Sequence, residues 1–276
     1  MTQLSLTEIA PIITALAREA GSIALTYFRK ISAETVESKG HLDLVTQADK
    51  DVEAFLTARL RKIFPKDGVF GEEGAAHEGS SGRLWVIDPI DGTFNFVRGN
   101  DQWAISIGLH EQSRPVFGVF YAPARDELFS GGDGIAATRN DTELPARQGI
   151  DRGKASCGVG FHPIIPVDER LATLRFIMED AGMTFRCCGS ATMSLAEVAR
   201  GEVDGYIGTG ESSWDLMAAL PILNQIGIQS TVDWASTDLR DKLRFACGTP
   251  EFLKLVSPLV PYGTKLSIPE DLIGSS

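Results

Sequence analysis

The sequence predicts a mixed chain in two parts, an α+β half over residues 1–147 and an α/β half over residues 148–276. Three observations carry this. Two amphipathic helical patterns precede any clear strand; short apolar and alternating runs between residues 103 and 138 are joined by tight Gly-rich turns; and beyond about residue 147 strand and helix patterns alternate. With 276 residues, 43% of them apolar, the chain can bury a sizeable core.

Taken in order, Ser5-Leu6-Thr7-Glu8 has capping-box spacing, and Ile9, Ile12, Ile13, Leu16, Ala20, Ile23, Ala24 and Tyr27 recur at helical intervals. A polar connection through Lys39, Gly40 and Asp43-Leu44-Val45-Thr46 leads to Asp49. After it, Val52, Phe55, Leu56, Leu60 and Ile63 mark a second helix that ends before Pro65. Val69-Phe70-Gly71 reads as a short strand closed by Glu72-Glu73, followed by a Gly/Ser-rich loop over 74–82. Residues 103–110, 115–121, 127–130 and 135–138 read as an antiparallel meander. In the second half, strands are expected at 155–160, 184–188, 203–207 and 244–247, and helices at 171–181, 190–199, 214–226 and from Thr249-Pro250-Glu251. The tail from Pro258 reads as irregular.

The stretch 84–96, Leu-Trp-Val-Ile-Asp-Pro-Ile-Asp-Gly-Thr-Phe-Asn-Phe, organises the rest. An apolar strand through Trp85 and Ile87 is expected to stop at Asp88-Pro89, because proline cannot donate to a ladder. Asp91, Gly92 and Thr93 follow at once, so two carboxylates, a flexible backbone and a hydroxyl arrive together at the carboxyl end of a strand, a common position for a ligand.

Composition narrows the partners. A formal charge of −11, with no basic stripe, disfavours nonspecific binding to nucleic acid or anionic lipid. No run approaches the ~20 consecutive apolar residues of a membrane span, and the N-terminus lacks a signal-peptide pattern, so a cytoplasmic protein is expected. Cys157, Cys187, Cys188 and Cys247 have no Cys-x-x-Cys spacing and read as ordinary thiols. The four histidines lie outside the motifs and read as structural or surface residues.

If folding brings Glu72, Asp88, Asp91 and the distant Asp215 together, like charges must be compensated. A hard cation resolves the conflict, and an oxygen-only donor set favours Mg²⁺ or Mn²⁺ over zinc, with the Ile90 carbonyl as a further oxygen. Gly92-Thr93 at a helix start offers N–H groups suited to phosphate. Cations beside an amide cradle would admit an anionic substrate and stabilise an in-line displacement. Taken singly, each motif has a plainer reading: Asp88-Pro89 and Asp91-Gly92 are common turn chemistry, and Asp49 suits a helix N-cap.

Several separated motifs in order resemble the inositol monophosphatase family of lithium-sensitive, magnesium-dependent phosphatases. They are Asp43-Leu44-Val45-Thr46-Gln47-Ala48-Asp49, Gly71-Glu72-Glu73, the run from Trp85 through Asp88-Pro89-Ile90-Asp91-Gly92-Thr93 to Phe96, and Trp214-Asp215. The resemblance implies a five-layer αβαβα sandwich, a homodimer, and two or three Mg²⁺ ions, with Mn²⁺ a possible substitute. It implies one metal at Glu72, Asp88 and the Ile90 carbonyl, a second at Asp88, Asp91 and Asp215, and a looser third near Glu72 and Asp49. The attacking water would be activated by metal with help from Glu72 and Thr93. Phosphate would meet Gly92 and Thr93, and Gly189-Ser190-Ala191 would face the alcohol. Lys39 matches a lysine that approaches the metals in relatives.

One departure concerns the substrate, a small phosphorylated metabolite. The family's glutamate for a ring hydroxyl lies seven residues before the Trp-Asp aspartate, where this chain has Gly208; the nearest acid is Glu211. Either the loop bends so that Glu211 substitutes, or another polyol or amino-alcohol phosphate is preferred. Asn224-Gln225-Ile226-Gly227-Ile228, in place of a Glu-Ala-Gly-Gly-like turn, is expected to alter local backbone only. The leading expectation is hydrolysis of inositol monophosphate. Histidinol-phosphate phosphatase is the alternative enzyme, and a non-catalytic partner of the transcription apparatus is the alternative of another class. An EF-hand is excluded, because 88–92 lacks oxygen side chains at alternate positions.

Overall fold

A computed structural model of the protein describes residues 3–30, 36–40 and 43–260, with the side chains at 36, 38–40 and 43–44 outside that description. The Lys39 side chain and the tail beyond residue 260 therefore lie outside the described residues.

Helix α1 (Leu6–Tyr27) starts at Ser5, which closes the expected capping box with Glu8. By length and composition α1 could cross a membrane, which the sequence reading did not anticipate. Its buried stripe of Ile9, Ile13, Leu16, Ala17, Ala20 and Ala24 instead packs into the core, while Arg18 and Glu19 form ion pairs on the outer face. The expected polar connection contains an antiparallel hairpin of β1 (Val36–Gly40) and β2 (Asp43–Thr46). Thr46, not Asp49, is the N-cap of α2 (Gln47–Ile63); Asp49 occupies the third helical position and closes the box by accepting from the Thr46 backbone.

The first sheet comprises β3 (Gly68–Gly71), β4 (Ala76–His77), β5 (Arg83–Asp91), β6 (Ala104–Glu111), β7 (Arg114–Ala122), β8 (Glu127–Gly132), β9 (Ile135–Arg139) and β10 (Thr142–Glu143) in the order β10-β9-β8-β7-β6-β5-β3-β4, with α3 (Thr93–Val97) leaving the end of β5. The strands from β6 onward form the expected meander, whereas β3 and β5 run parallel. Strand β5 continues past Asp88, contrary to expectation. Its register against β6 passes from Asp88↔Ser106 to Asp91↔Ala104, so one extra residue bulges on β5 and the missing N–H of Pro89 is absorbed there.

The second sheet is built from β11 (Ser156–Phe161), β12 (Thr184–Arg186), β13 (Gly205–Glu211), β14 (Gln229–Ser230) and β15 (Leu243–Gly248) in the order β12-β11-β13-β15-β14. Helices α4 (Val167–Glu179), α5 (Ala191–Arg200), α6 (Ser213–Leu216), α7 (Ala219–Asn224) and α8 (Pro250–Val256) are the remaining elements among the described residues. Strand β11 is parallel to β12 and β13, and β15 is antiparallel. The single helix expected over 214–226 is two, because Pro221 lacks the N–H that would pair with the Met217 carbonyl in a continuous helix. The break lies close on the first sheet: a Cβ at Gly118 would sit 2.0 Å from the Ala218 carbonyl oxygen.

The layers follow from these contacts. Helices α1 and α2 cover one face of the first sheet, α5, α6 and α7 fill the space between the sheets, and α4 and α8 cover the outer face of the second. This is the expected αβαβα sandwich, an α+β arrangement.

Candidate active site

The bulge in β5 turns Asp88 and Asp91 toward one spot, and the turn from β13 into α6 brings Asp215 there from the other sheet. One carboxylate oxygen of each lies within 4.8 Å of the others. Each is held. Asp88 Oδ1 accepts from the Ile90 N–H at 3.0 Å, and Asp91 Oδ2 accepts from the Ser190 hydroxyl at 2.9 Å and from the Thr192 N–H. Asp215 Oδ2 accepts from the Ser212 N–H at 2.6 Å as the third residue of a capping box. The remaining Asp88 oxygen, Oδ2, is buried without a hydrogen-bond partner.

Burial pushes the Asp88 carboxyl well above its ordinary range, and the charges of Glu72, Asp91 and Asp215 push it further. Burial also raises Asp215 strongly, with Glu211, Asp91 and Glu72 adding to it and Lys242 opposing. Asp91 is raised by burial, but the hydrogen bonds from Thr192 and Ser190 hold it lower than burial alone would. A concentration of buried carboxylates with an orphaned oxygen is a costly arrangement without a cation. The donors are all oxygens, which fits a hard divalent ion.

Asp49 is fully buried at the base of α2 and its carboxyl is raised by burial. Its Oδ1 faces the Thr93 hydroxyl at 3.2 Å, and the same hydroxyl lies 3.1 Å from the Ile90 carbonyl oxygen. Thr93 thus ties Asp49 to the bulged strand. Gly92 caps α3 in the left-handed region with φ +94°, and a Cβ there would approach the Gln102 carbonyl oxygen to 2.8 Å and Ser190 Cβ to 3.0 Å. Only glycine suits that position.

Ser190 is the N-cap of α5 and reaches Asp91, so the Gly189-Ser190-Ala191 turn borders the carboxylates. A cleft of about 210 Å³ opens from Asp91 and Asp215 past this turn to Tyr206, Glu211 and His162. Glu211 lies on a bulged strand, not in the loop expected between Gly208 and Trp214. Thr209 pairs with Arg244 and Glu211 with Leu243, leaving Gly210, at φ +92°, as the extra residue. The insertion returns Glu211 to the face occupied by Gly208. A Cβ at Gly208 would lie 2.7 Å from Glu211 Cγ and 2.5 Å from the Phe245 ring, so Glu211 fills the space above this glycine.

The sequence reading missed three supporting residues. Glu53, one helical turn after Asp49, accepts from the Glu73 and Ala75 N–H groups and grips the turn that carries Glu72. Lys242 donates to the Ser212 hydroxyl at 2.7 Å, and Tyr206 donates to Glu211 Oε1 at 2.5 Å. The period-2 spacing of Tyr206 and Gly208 was visible; the bulge that adds Glu211 to their face was not.

A five-layer sandwich with an oxygen-only carboxylate cluster between its sheets belongs with the metal-dependent phosphatases. The profile of the inositol monophosphatase family matches residues 5–254, and the chain belongs to that family. It is 36% identical over 224 residues to an inositol-1-monophosphatase of Mesorhizobium japonicum, covering 78% of this chain and 82% of that protein. It is 31% identical over 220 residues to the Nus factor SuhB of Xylella fastidiosa, covering 78% of each. Among solved structures, the extragenic suppressor protein SuhB of Bartonella henselae superposes with a TM-score of 0.82 at 28% identity, covering 91% of this chain and 98% of that one.

Proposed function

We propose that the protein hydrolyses the phosphate monoester of a small polyol, inositol monophosphate first, using Mg²⁺. The observation that carries this is the convergence of Asp88, Asp91 and Asp215 around a buried, unpartnered carboxylate oxygen. In this reading Glu72, Asp88 and the Ile90 carbonyl hold one cation, Asp88, Asp91 and Asp215 a second, and Glu72 with Asp49 a looser third; Mn²⁺ is a possible substitute. When bound, such ions supply Lewis-acid activation of water and neutralise charge on the phosphoryl oxygens.

The chain's own groups supply the rest. The Thr93 hydroxyl has one proton, and Asp49 Oδ1 and the Ile90 carbonyl oxygen both face it. With that proton directed inward, the Thr93 oxygen presents a lone pair to an attacking water, and Glu72 accepts the water's proton. The N–H groups of Gly92 and Thr93 receive phosphate, and the alcohol lies over Gly189-Ser190-Ala191 toward Glu211. The relatives named inositol-1-monophosphatase support this substrate class. A homodimer, implied by the family resemblance, and a cytoplasmic location belong to the same proposal.

Turnover of inositol monophosphate beside histidinol phosphate tests the substrate. Faster release from the polyol ester supports this reading, and faster release from the amino-alcohol ester replaces it. A second reading, a partner of the transcription apparatus, is favoured by the relatives named Nus factor SuhB. The net charge of −11 counts against direct contact with RNA. Co-purification of RNA polymerase with the tagged protein at physiological salt would support that second role.

A further inference from the structure

The alcohol side of the cleft has a wall that the metal chemistry does not require. Glu211 and Tyr206 are joined by the hydrogen bond from the tyrosine hydroxyl to Glu211 Oε1, and both face Gly160 of the neighbouring strand β11. A Cβ at Gly160 would fall 1.9 Å from the Tyr206 hydroxyl oxygen and 2.3 Å from Glu211 Oε1, so the pair occupies the space a side chain there would take. Tyr206 is fully buried against Phe245, which fixes its ring. Among the described residues lining the cleft there is no Lys or Arg, whereas Asp91, Glu211 and Asp215 contribute carboxylates. With Asp91, Glu211 and Asp215 against His162 as the one lining group that can become cationic, the wall is rich in hydrogen-bond acceptors and repels a second anionic group.

We propose that Tyr206 is a positioning residue that fixes the Glu211 carboxylate as an acceptor on the alcohol side of the cleft, and that the pair selects alcohols bearing a second donor, hydroxyl or ammonium, over those bearing none. The selection rests on the phosphatase reading above. Free Glu211 would explore several rotamers; one hydroxyl bond to a rigid ring removes that freedom before substrate arrives.

The test is a double-mutant cycle on the ratio of kcat/KM for inositol monophosphate to kcat/KM for p-nitrophenyl phosphate, whose leaving group carries no donor. Tyr206→Phe is expected to lower this ratio about tenfold, in line with loss of a hydrogen bond to a charged group. In a Glu211→Ala background, where the ratio has already fallen, the same change is expected to leave it unaltered. An equal fall for both esters, or an equal fall of the ratio in both backgrounds, overturns the proposal by making Tyr206 merely structural. If Tyr206→Phe does not fold, Glu211→Gln carries the test: a lowered ratio supports the pair's role and an unchanged ratio overturns it. Wild-type protein that releases phosphate from neither ester with Mg²⁺ overturns the phosphatase reading itself, and the selection with it.

Discussion

Replacing Glu53 by alanine probes how the site is held. Glu53 is 6% exposed on α2, and its carboxylate accepts from the N–H groups of Glu73 at 2.8 Å and Ala75 at 2.9 Å. Removing it leaves both donors without that acceptor in the turn that carries Glu72. Hydrogen bonds to a charged acceptor are worth about 1.5–3 kcal/mol each. Glu73 and Ala75 are only half-buried, so water replaces part of the loss, and the turn keeps its bonds from the Gly71 N–H to the Ala75 carbonyl and from the Glu72 N–H to the Ile87 carbonyl. The expected destabilisation in urea unfolding of metal-free protein is about 3 kcal/mol, near the lower end of the summed range. Because the loosened turn carries Glu72, the Mg²⁺ concentration for half-maximal phosphate release should rise about tenfold, as when an outer partner of a metal ligand is lost. A stability loss of this size with an unchanged Mg²⁺ requirement would refute the positioning argument, and no stability loss would refute the hydrogen-bond argument beneath it.

Two further outcomes are expected. Gly92→Ala forces a Cβ to φ +94° and to 2.8 Å from the Gln102 carbonyl oxygen; thermal unfolding should show a loss of at least about 1–3 kcal/mol, and an unchanged midpoint would contradict the left-handed geometry. Burial pushes the thiols of Cys157 and Cys247 up to about 12 and that of Cys188 up to about 11. These three stay protonated at pH 8, while exposed Cys187 is accessible, although burial of its sulfur raises its pKa too. A thiol reagent should therefore modify one of the four cysteines in the native protein at pH 8, faster as pH rises, and all four after denaturation. Rapid reaction of three or four native thiols would rule this out.

Much of the architecture was legible because periodicity is local. The capping box at Ser5 and the stripe of Ile9, Ile13 and Leu16 specify α1 without reference to any partner. The meander from residue 104 onward follows from alternation and glycine turns in the same way. Bulges were not legible, since an extra residue is defined only against the opposing strand. Those near Pro89 and Gly210 extended β5 and β13 beyond their expected ends. The meeting of Asp88 and Asp91 with Asp215 could be anticipated only through the family resemblance, because nothing local to Trp214-Asp215 ties it to residues 88–91. Glu53 and Tyr206 could not, because an acid inside a helix and an aromatic inside a strand are ordinary until tertiary packing gives them neighbours.

Release of inorganic phosphate from inositol monophosphate, by protein stripped with EDTA and then titrated with Mg²⁺, tests the central claim most directly. The converging carboxylates of Asp88 and Asp91, both buried, and of half-buried Asp215 predict no release in EDTA and recovery that saturates with Mg²⁺. Full release in EDTA would contradict it.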